Sequence, residues 1–158
     1  MATTLTAATL TVTHSEAISL NGYDQGAKNT LTIDSIAEVN KRIVNVPASE
    51  VVVLVMGTAV AAGQFIESTV MYIRFTNLDD TNHIGLIFKN ENDDEFGVKL
   101  DKGQSFIYNG DLAGGVVDTM DAQDGGADLV AGSFGDLVNV TATANSAACD
   151  LEIFIAST

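Results

Sequence analysis

The sequence predicts an all-β fold, an antiparallel β-sandwich or jelly roll, and three observations lead to it. Apolar residues alternate with Thr and Ser in many short stretches, the period of a strand with one buried face. Turn signals such as Asn21-Gly22 and Asn109-Gly110 separate these stretches. No amphipathic helix of about ten or more residues fits between them, which argues against a doubly wound α/β fold. We expect a single domain over residues 1–158.

The elements can be justified in chain order. Leu10 and Val12 alternate with Thr near the start, and residues 1–20 are predicted to be an N-terminal arm that exchanges strands. Ser35–Asn40 is the one candidate helical turn. The unbroken apolar run Val51–Met56 predicts a central strand covered on both faces. The other predicted strands are Thr30–Ile33, Arg42–Val46, Val70–Thr76, Ile84–Lys89, Phe96–Leu100, Ser105–Tyr108, Leu137–Ala144 and Leu151–Ile155.

The segment Tyr72–Asp111 predicts four strands in a meander. Its third and fourth strands are expected to form a hairpin closed by Asp101-Lys102-Gly103, with Gly103 supplying a positive φ. Across that hairpin, Val98 and Leu100 are expected to face Phe106 and Tyr108.

Charge and composition exclude several classes of partner. The chain has 7 basic and 21 acidic side chains and a formal net charge of −14. An acidic surface of this kind repels phosphate backbones and anionic membrane surfaces, so neither nucleic acid nor a membrane is an expected partner. Trp is absent, which weakens any interpretation based on stacking against sugars.

The same composition predicts a soluble protein without an export signal. No Lys or Arg precedes Lys28, and the most apolar stretch, Val51–Gly63, is shorter than the roughly 20 residues that span a bilayer. The single cysteine, Cys149, cannot form a disulfide within the chain, which fits a reducing compartment.

Acidic residues form the main candidate metal site. Asp118, Asp121, Asp124 and Asp128 surround Gly125-Gly126, and closely spaced carboxylates could hold calcium. Their spacing matches neither the EF-hand loop nor the glycine-rich calcium repeat, so we interpret the loop as solvated surface without a tightly held metal. The acidic tip Glu91–Glu95 has the same interpretation.

Other reactive residue types are isolated. His14 and His83 have no partner at metal-ligand spacing, and Cys149 is interpreted as a buried small residue. Gly132-Ser133-Phe134-Gly135 is an incomplete version of the Gly-x-Ser-x-Gly nucleophile motif. We therefore predict no catalytic, cofactor-binding or metal-binding residue, no cofactor and no enzymatic activity.

The most specific pattern lies within residues 72–111. It includes Thr76-Asn77-Leu78 at a strand end and the later run Lys99-Leu100-Asp101-Lys102-Gly103-Gln104-Ser105-Phe106. This stretch resembles structural proteins from the virions of tailed phages, particularly marine ones. The resemblance covers about 40 residues of the 158 and implies a β-sandwich capsid decoration, head-fibre or tail protein. It carries over no catalytic residue. The Leu-x-x-Gly-x-Ser pattern also occurs in cupin-like jelly rolls, whose His and Glu metal cluster this sequence lacks.

The expected function is a structural virion protein, a capsid decoration protein on the outer surface of a phage head. We expect it in the virion after synthesis in the host cytoplasm, as a homo-oligomer, with a trimer favoured, bound to the major capsid protein or another virion protein. A tail or head-fibre component and a carbohydrate-type binding module are the alternatives. A third alternative is an enzyme or metal-dependent jelly roll, which the residue types above do not favour.

Overall fold

A computed structural model describes residues 5–90, 93, 95–109 and 137–158, and within them it confirms the all-β prediction. Every regular element in these ranges is a strand. In chain order the strands are β1 (Ala8–Glu16), β2 (Ser19–Leu20), β3 (Tyr23–Asp24), β4 (Ala27–Ile36), β5 (Glu38–Val46), β6 (Val51–Gly57), β7 (Phe65–Ile66), β8 (Val70–Asn77), β9 (Ile84–Asn90), β10 (Glu95–Leu100), β11 (Ser105–Asn109), β12 (Leu137–Ala144) and β13 (Cys149–Ser157).

Two sheets pack face to face and form a sandwich. One has the strand order β10-β9-β12-β6-β7, and the other has the order β11-β8-β13-β5. Their inner faces bury a shared apolar core. Its aromatic centre is Phe88, which stacks on Tyr108 at 5.4 Å and meets Phe75 edge-on at 5.7 Å. The β-sandwich prediction is therefore confirmed, whereas the jelly roll specifically stays a prediction.

Four connections cross between the sheets at one end of the sandwich: β5 to β6, β8 to β9, β10 to β11 and β12 to β13. The predicted hairpin of the third and fourth meander strands is therefore wrong. β10 pairs with β9, and β11 pairs with β8, so the turn at 101–104 joins different sheets. Leu100 and Tyr108 still meet the same core, but from opposite sides. Gly103 has the expected positive φ, at 69°.

The apolar run Val51–Met56 forms β6, but it is not a central strand covered on both faces. Only the two-residue strand β7 lies beyond it in the sheet, and Val52 is 59% exposed on the outer face. A register irregularity at this point of the β6–β12 pairing leaves Val53 and Leu54 both buried. The continuous apolar run therefore reflects an irregular strand rather than a doubly covered one.

β8, by contrast, is covered on both faces. Ile73 and Phe75 belong to the sandwich core, whereas Met71 and Tyr72 belong to a second apolar cluster on the other side of the sheet. The pairing with β13 skips Met71, because Ala156 pairs with Tyr72 and the next residue of β13 pairs with Val70. This bulge places two consecutive large side chains on the outer face.

The predicted helical turn over Ser35–Asn40 is also wrong. β4 and β5 are separated only by Ala37, and the chain turns a corner there from the ribbon into the four-stranded sheet. Ser35, with a φ of 66°, lies just before it at an irregularity in the pairing of β4 with β1. The Ala37 amide donates to the Ser157 carbonyl at 2.9 Å, which fixes the corner to the end of β13. Strand pairing and this hydrogen bond outweigh the weak local helix preference of the segment.

Residues 8–36, which precede this corner, form a two-stranded ribbon. β1 and β4 pair antiparallel along most of their length. The short strands β2 and β3 form the tip, closed by Asn21-Gly22 with both residues at positive φ, as the turn signal predicts. The base of the ribbon lies on the outer face of the four-stranded sheet, so residues 8–36 stand apart from the sandwich core.

Candidate interaction surface

The isolated reactive residues of the sequence do not come together into a site. His14 lies exposed on the ribbon, and His83 precedes β9 at the far end of the sandwich. Within the described ranges, no group of three or more His, Cys, Asp or Glu side chains is placed to hold a metal. The candidate calcium loop 118–128 and the segment 132–135 lie outside the described residues, as does most of the tip 91–95.

Cys149 is buried, as the sequence predicts. Its thiol lies 3.4 Å from the Ala147 carbonyl oxygen, which it meets as a weak donor. Burial raises the pKa of the thiol, and the nearby Asp79 carboxylate acts in the same direction. A thiol that stays protonated is a poor nucleophile, so this cysteine acts as a packed side chain.

The segment Thr76-Asn77-Leu78 lies at the end of the sandwich where the four connections cross between the sheets. The side chain of Asn77 is completely buried. Its amide donates to the carbonyls of Asn82 and Leu100 at 2.9 and 3.1 Å, and its oxygen accepts from the Asp79 amide at 3.0 Å. One side chain thus ties two inter-sheet connections together. Asn77 of the pattern Thr76-Asn77-Leu78 therefore has a structural role in this fold.

The ribbon contacts the sandwich through a second apolar cluster. Ile33 and Ile36 of the ribbon pack with Met71, Tyr72 and Ala156 of the sheet, and all five side chains are buried. No residue of this cluster belongs to the sandwich core. The ribbon is therefore held by its own small core, which is distinct from the core that stabilises the sandwich.

A groove of about 390 Å³ runs between the ribbon and the sheet. Residues 10–14 of β1 form one wall, and Tyr72, Arg74 and Phe154 contribute to the rest of the lining. Tyr72 meets the Phe154 ring edge-on at 6.0 Å, and the Arg74 guanidinium lies 5.9 Å from the same ring centre. Burial raises the pKa of the Tyr72 hydroxyl. The groove lining therefore combines two aromatic rings and the Arg74 cation with aliphatic, hydroxyl and histidine side chains.

Ion pairs cross the strands beside this groove. Glu152 of β13 accepts from Arg74 of β8 at 2.5 Å and from Lys41 of β5 at 2.9 Å. Both cations are therefore matched by the same carboxylate. This arrangement orders the outer face of the sheet and gives the guanidinium a fixed position over Phe154.

The far half of the ribbon has little packing of its own. Leu20 is 61% exposed and Tyr23 is 72% exposed, and Ile18 beside them is exposed as well. β1 and β4 each pair only with the other, so each has one open edge among the described residues. A two-stranded ribbon is marginally stable by itself in water, and open strand edges with apolar side chains favour association. Among the residues that the structure describes, this tip is the strongest candidate interaction surface.

The sequence contains a signal for part of this arrangement. β8 carries large apolar residues at both odd and even positions, at Met71, Tyr72, Ile73 and Phe75. Because side chains alternate between the two faces of a strand, this pattern indicates a strand covered on both faces. The covering element could not be read from the pattern, because the ribbon strands show only a thin stripe of apolar residues at Leu10, Val12, Leu31 and Ile33.

Comparison with known proteins gives no relative. No family model matches the chain, and no characterised protein or solved structure matches it either. No helix in the described part of the chain has the length and hydrophobicity that crossing a bilayer requires.

Proposed function

We propose that this chain is a structural virion protein that decorates the outer surface of a phage head and binds its neighbours through the ribbon. The observation that carries the proposal is the ribbon tip, where Ile18, Leu20 and Tyr23 present apolar surface on a two-stranded element with open edges. Exposed apolar surface on an otherwise charged protein marks an interaction site.

The virion assignment rests on the resemblance of residues 72–111 to phage virion proteins. Two features of the chain suit such a role. Its net charge of −14 keeps many copies soluble and away from packaged DNA. Its two sheets bury a large shared apolar core, which suits a protein that serves as a rigid part of a lattice.

A binding assay on phage heads stripped of decoration protein tests the proposal. We expect the wild-type chain to cosediment with the heads and Tyr23→Ser to bind about tenfold more weakly, because a central aromatic side chain typically dominates an interface. Val60→Ser is the matched control, since Val60 is 86% exposed and lies outside the ribbon. Equal binding by both variants, or no binding by the wild-type chain, would contradict the proposal.

A tail or head-fibre component is the nearest alternative, and binding to purified tails or fibres instead of heads would favour it. The groove at Tyr72, Arg74 and Phe154 favours a second alternative, a carbohydrate-type binding module, because aromatic rings and a guanidinium are suitable contacts for sugars. A glycan array separates this alternative from the first, since a lattice protein is expected to give no glycan signal that depends on Tyr72.

A further inference from the structure

We propose that the groove between β1 and the four-stranded sheet receives an extended segment of a partner protein, which adds to β1 as a third strand and places an acidic side chain against Arg74. The inference goes beyond the proposed function, because the tip residues Ile18, Leu20 and Tyr23 do not line this groove. The groove and the tip are therefore two separate surfaces of the same ribbon.

The first support is the direction in which the groove runs along β1. Five consecutive residues, Leu10–His14, line it. Side chains of a strand alternate between two faces, so a pocket on one face would be lined only by every second residue. No residue of β4 lines the groove, so it follows the open edge of β1, opposite the edge that β4 occupies. The backbone N–H and C=O groups of an open edge are the donors and acceptors that an added strand uses.

The second support is the shape of the groove. Residues 10–14 span about 13 Å at the usual rise of a strand, which matches a segment of about five residues. On the sheet side every second residue lines the groove: Tyr72 and Arg74 in β8, and Ser105 and Ile107 in β11. The sheet therefore contributes a face, whereas β1 contributes an edge. A strand between them bonds to β1 through its backbone and sets alternate side chains on the sheet.

The third support is the charge at the groove. Arg74 and Lys41 both pair with the carboxylate of Glu152, so these three side chains together carry one net positive charge. None of the described residues that line the groove is acidic. In a chain of net charge −14, this is a place where a carboxylate is attracted rather than repelled. A guanidinium has five N–H donors, so Arg74 can bind a second carboxylate beside Glu152.

The surroundings of Arg74 define the rest of the segment. Ile107 and Phe154 line the groove beside it and are only half-buried. They offer apolar contacts to the side chains on either side of the acidic one. The segment that fits is therefore an extended chain whose sheet-facing residues are apolar, acidic and apolar in turn. The open strand edge favours such a peptide over a sugar, because a sugar has no backbone that matches it.

Peptide binding to the full-length wild-type chain tests the added strand. The probe is a labelled peptide, Thr-Val-Thr-Glu-Thr-Val-Thr, whose Val, Glu and Val share one face. Two further versions carry N-methyl groups, one on the odd residues and one on the even residues. Because only alternate amides of an added strand point toward its neighbour, fluorescence anisotropy is expected to show about tenfold weaker binding for one version and near-parent binding for the other. Equal binding by both versions, or no binding by the parent peptide, would overturn the proposal.

The acidic contact has its own pair of variants. Arg74→Gln is expected to weaken binding of the Glu peptide about tenfold and to leave a Gln version of the peptide nearly unaffected, because only the Glu peptide loses a charge-assisted contact. Lys41→Gln is the matched control, since Lys41 pairs with the same Glu152 carboxylate but does not line the groove. Equal losses in both variants would overturn the contact. Protection of the buried Cys149 thiol shows that each variant is folded, and the methylated peptides decide the added strand without any variant.

Other occupants of the groove give different results. A glycan signal that depends on Tyr72, without peptide binding, would assign the groove to a sugar and overturn the proposal. Self-association of the wild-type chain that blocks the peptide would assign the groove to a second copy and overturn it as well. Tyr23→Ser is expected to bind the peptide as the wild type does, since Tyr23 lies outside the groove. Loss of head binding with intact peptide binding therefore concerns the proposed function alone.

Discussion

The sandwich and the ribbon bury apolar side chains in very different ways. The sandwich packs two sheets around a large continuous core with Phe75, Phe88 and Tyr108 at its centre. The ribbon is held by a small cluster at its base, and its tip leaves Leu20 and Tyr23 exposed. The sandwich therefore has what a domain needs to fold alone, whereas the ribbon depends on a surface outside itself. The comparison supports the proposal that the ribbon is the part of the chain that associates with a partner.

The largest expected effect separates the two cores directly. Val53 lies in the sandwich core and Ile33 in the ribbon cluster, and both are almost completely buried. Val53→Asp would bury an unpaired charge and is expected to cost about 5 kcal/mol or more, enough to unfold a domain of ordinary stability. Ile33→Asp is expected to release the ribbon and leave the sandwich folded, because the ribbon can move away from the sheet.

Circular dichroism and the reactivity of Cys149 measure this contrast. We expect Val53→Asp to lose its β-sheet signal and expose the thiol, and Ile33→Asp to keep both the signal and the protection. If Ile33→Asp unfolds the whole chain as Val53→Asp does, the two regions are one cooperative unit and the comparison fails.

A smaller effect is expected at the end of the sandwich. Asn77→Ala removes the side chain that joins two inter-sheet connections and leaves the carbonyls of Asn82 and Leu100 without that donor. The expected loss is about 2–3 kcal/mol in the free energy of unfolding, because buried polar groups lose their partners. Asn45→Ala is the control, since its exposed hydrogen bond to Asp150 is expected to contribute about 0.5 kcal/mol or less. Urea unfolding compares them, and equal losses would contradict the role of Asn77.

Much of the sandwich could be predicted from the sequence, because its strands show alternation that depends only on neighbouring residues. The pairing of the strands could not, since the alternation of β10 and β11 is the same whether they form a hairpin or lie in opposite sheets. The corner at Ser35 was missed for a similar reason. The residues around it are acceptable in a helix, and the positive φ belongs to an irregularity in the pairing of β4 with β1, which depends on a contact distant in sequence.

The candidate surface was predicted only in part. The expectation of an N-terminal arm over residues 1–20 was drawn from the thin apolar stripe of the first strand, and whether the arm exchanges stays a prediction. The contribution of β4 to the same ribbon was not foreseen, because the partner of a strand depends on contacts distant in sequence. The burial of both Met71 and Tyr72 on one face depends on a bulge in β8, and no residue type in the sequence indicates where that bulge lies.

The smallest expected effect is on the stability of the fold at acidic pH. The amides of Asn82 and Thr81 donate to the Asp79 carboxylate and hold its pKa below the ordinary value. A lowered pKa in the folded state means that this group stabilises the fold above about pH 4 and that the contribution is lost as pH falls through the folded pKa. We expect Asp79→Asn to lower the melting temperature slightly at pH 7 and to flatten its dependence on pH between about 2 and 4.

Asp80→Asn is the neighbouring control, because the Asp80 carboxylate accepts from the side-chain hydroxyl of Thr81 rather than from backbone amides. Its melting profile is expected to follow the wild-type profile in acid. Asp79 belongs to the sandwich end, so protection of the ribbon from protease is expected to be the same in both variants. Identical acid profiles for the two variants would contradict the assignment.

Amide hydrogen exchange of the free chain and of the chain bound to phage heads tests the central claim most directly. The claim is that the sandwich is stable by itself, whereas the ribbon is stabilised by a partner. The account predicts that amides of the sandwich strands β8 and β13 exchange slowly in both states, and that amides of β1 and β4 become more protected on binding. Equal protection of ribbon and sandwich, unchanged by binding, would contradict it.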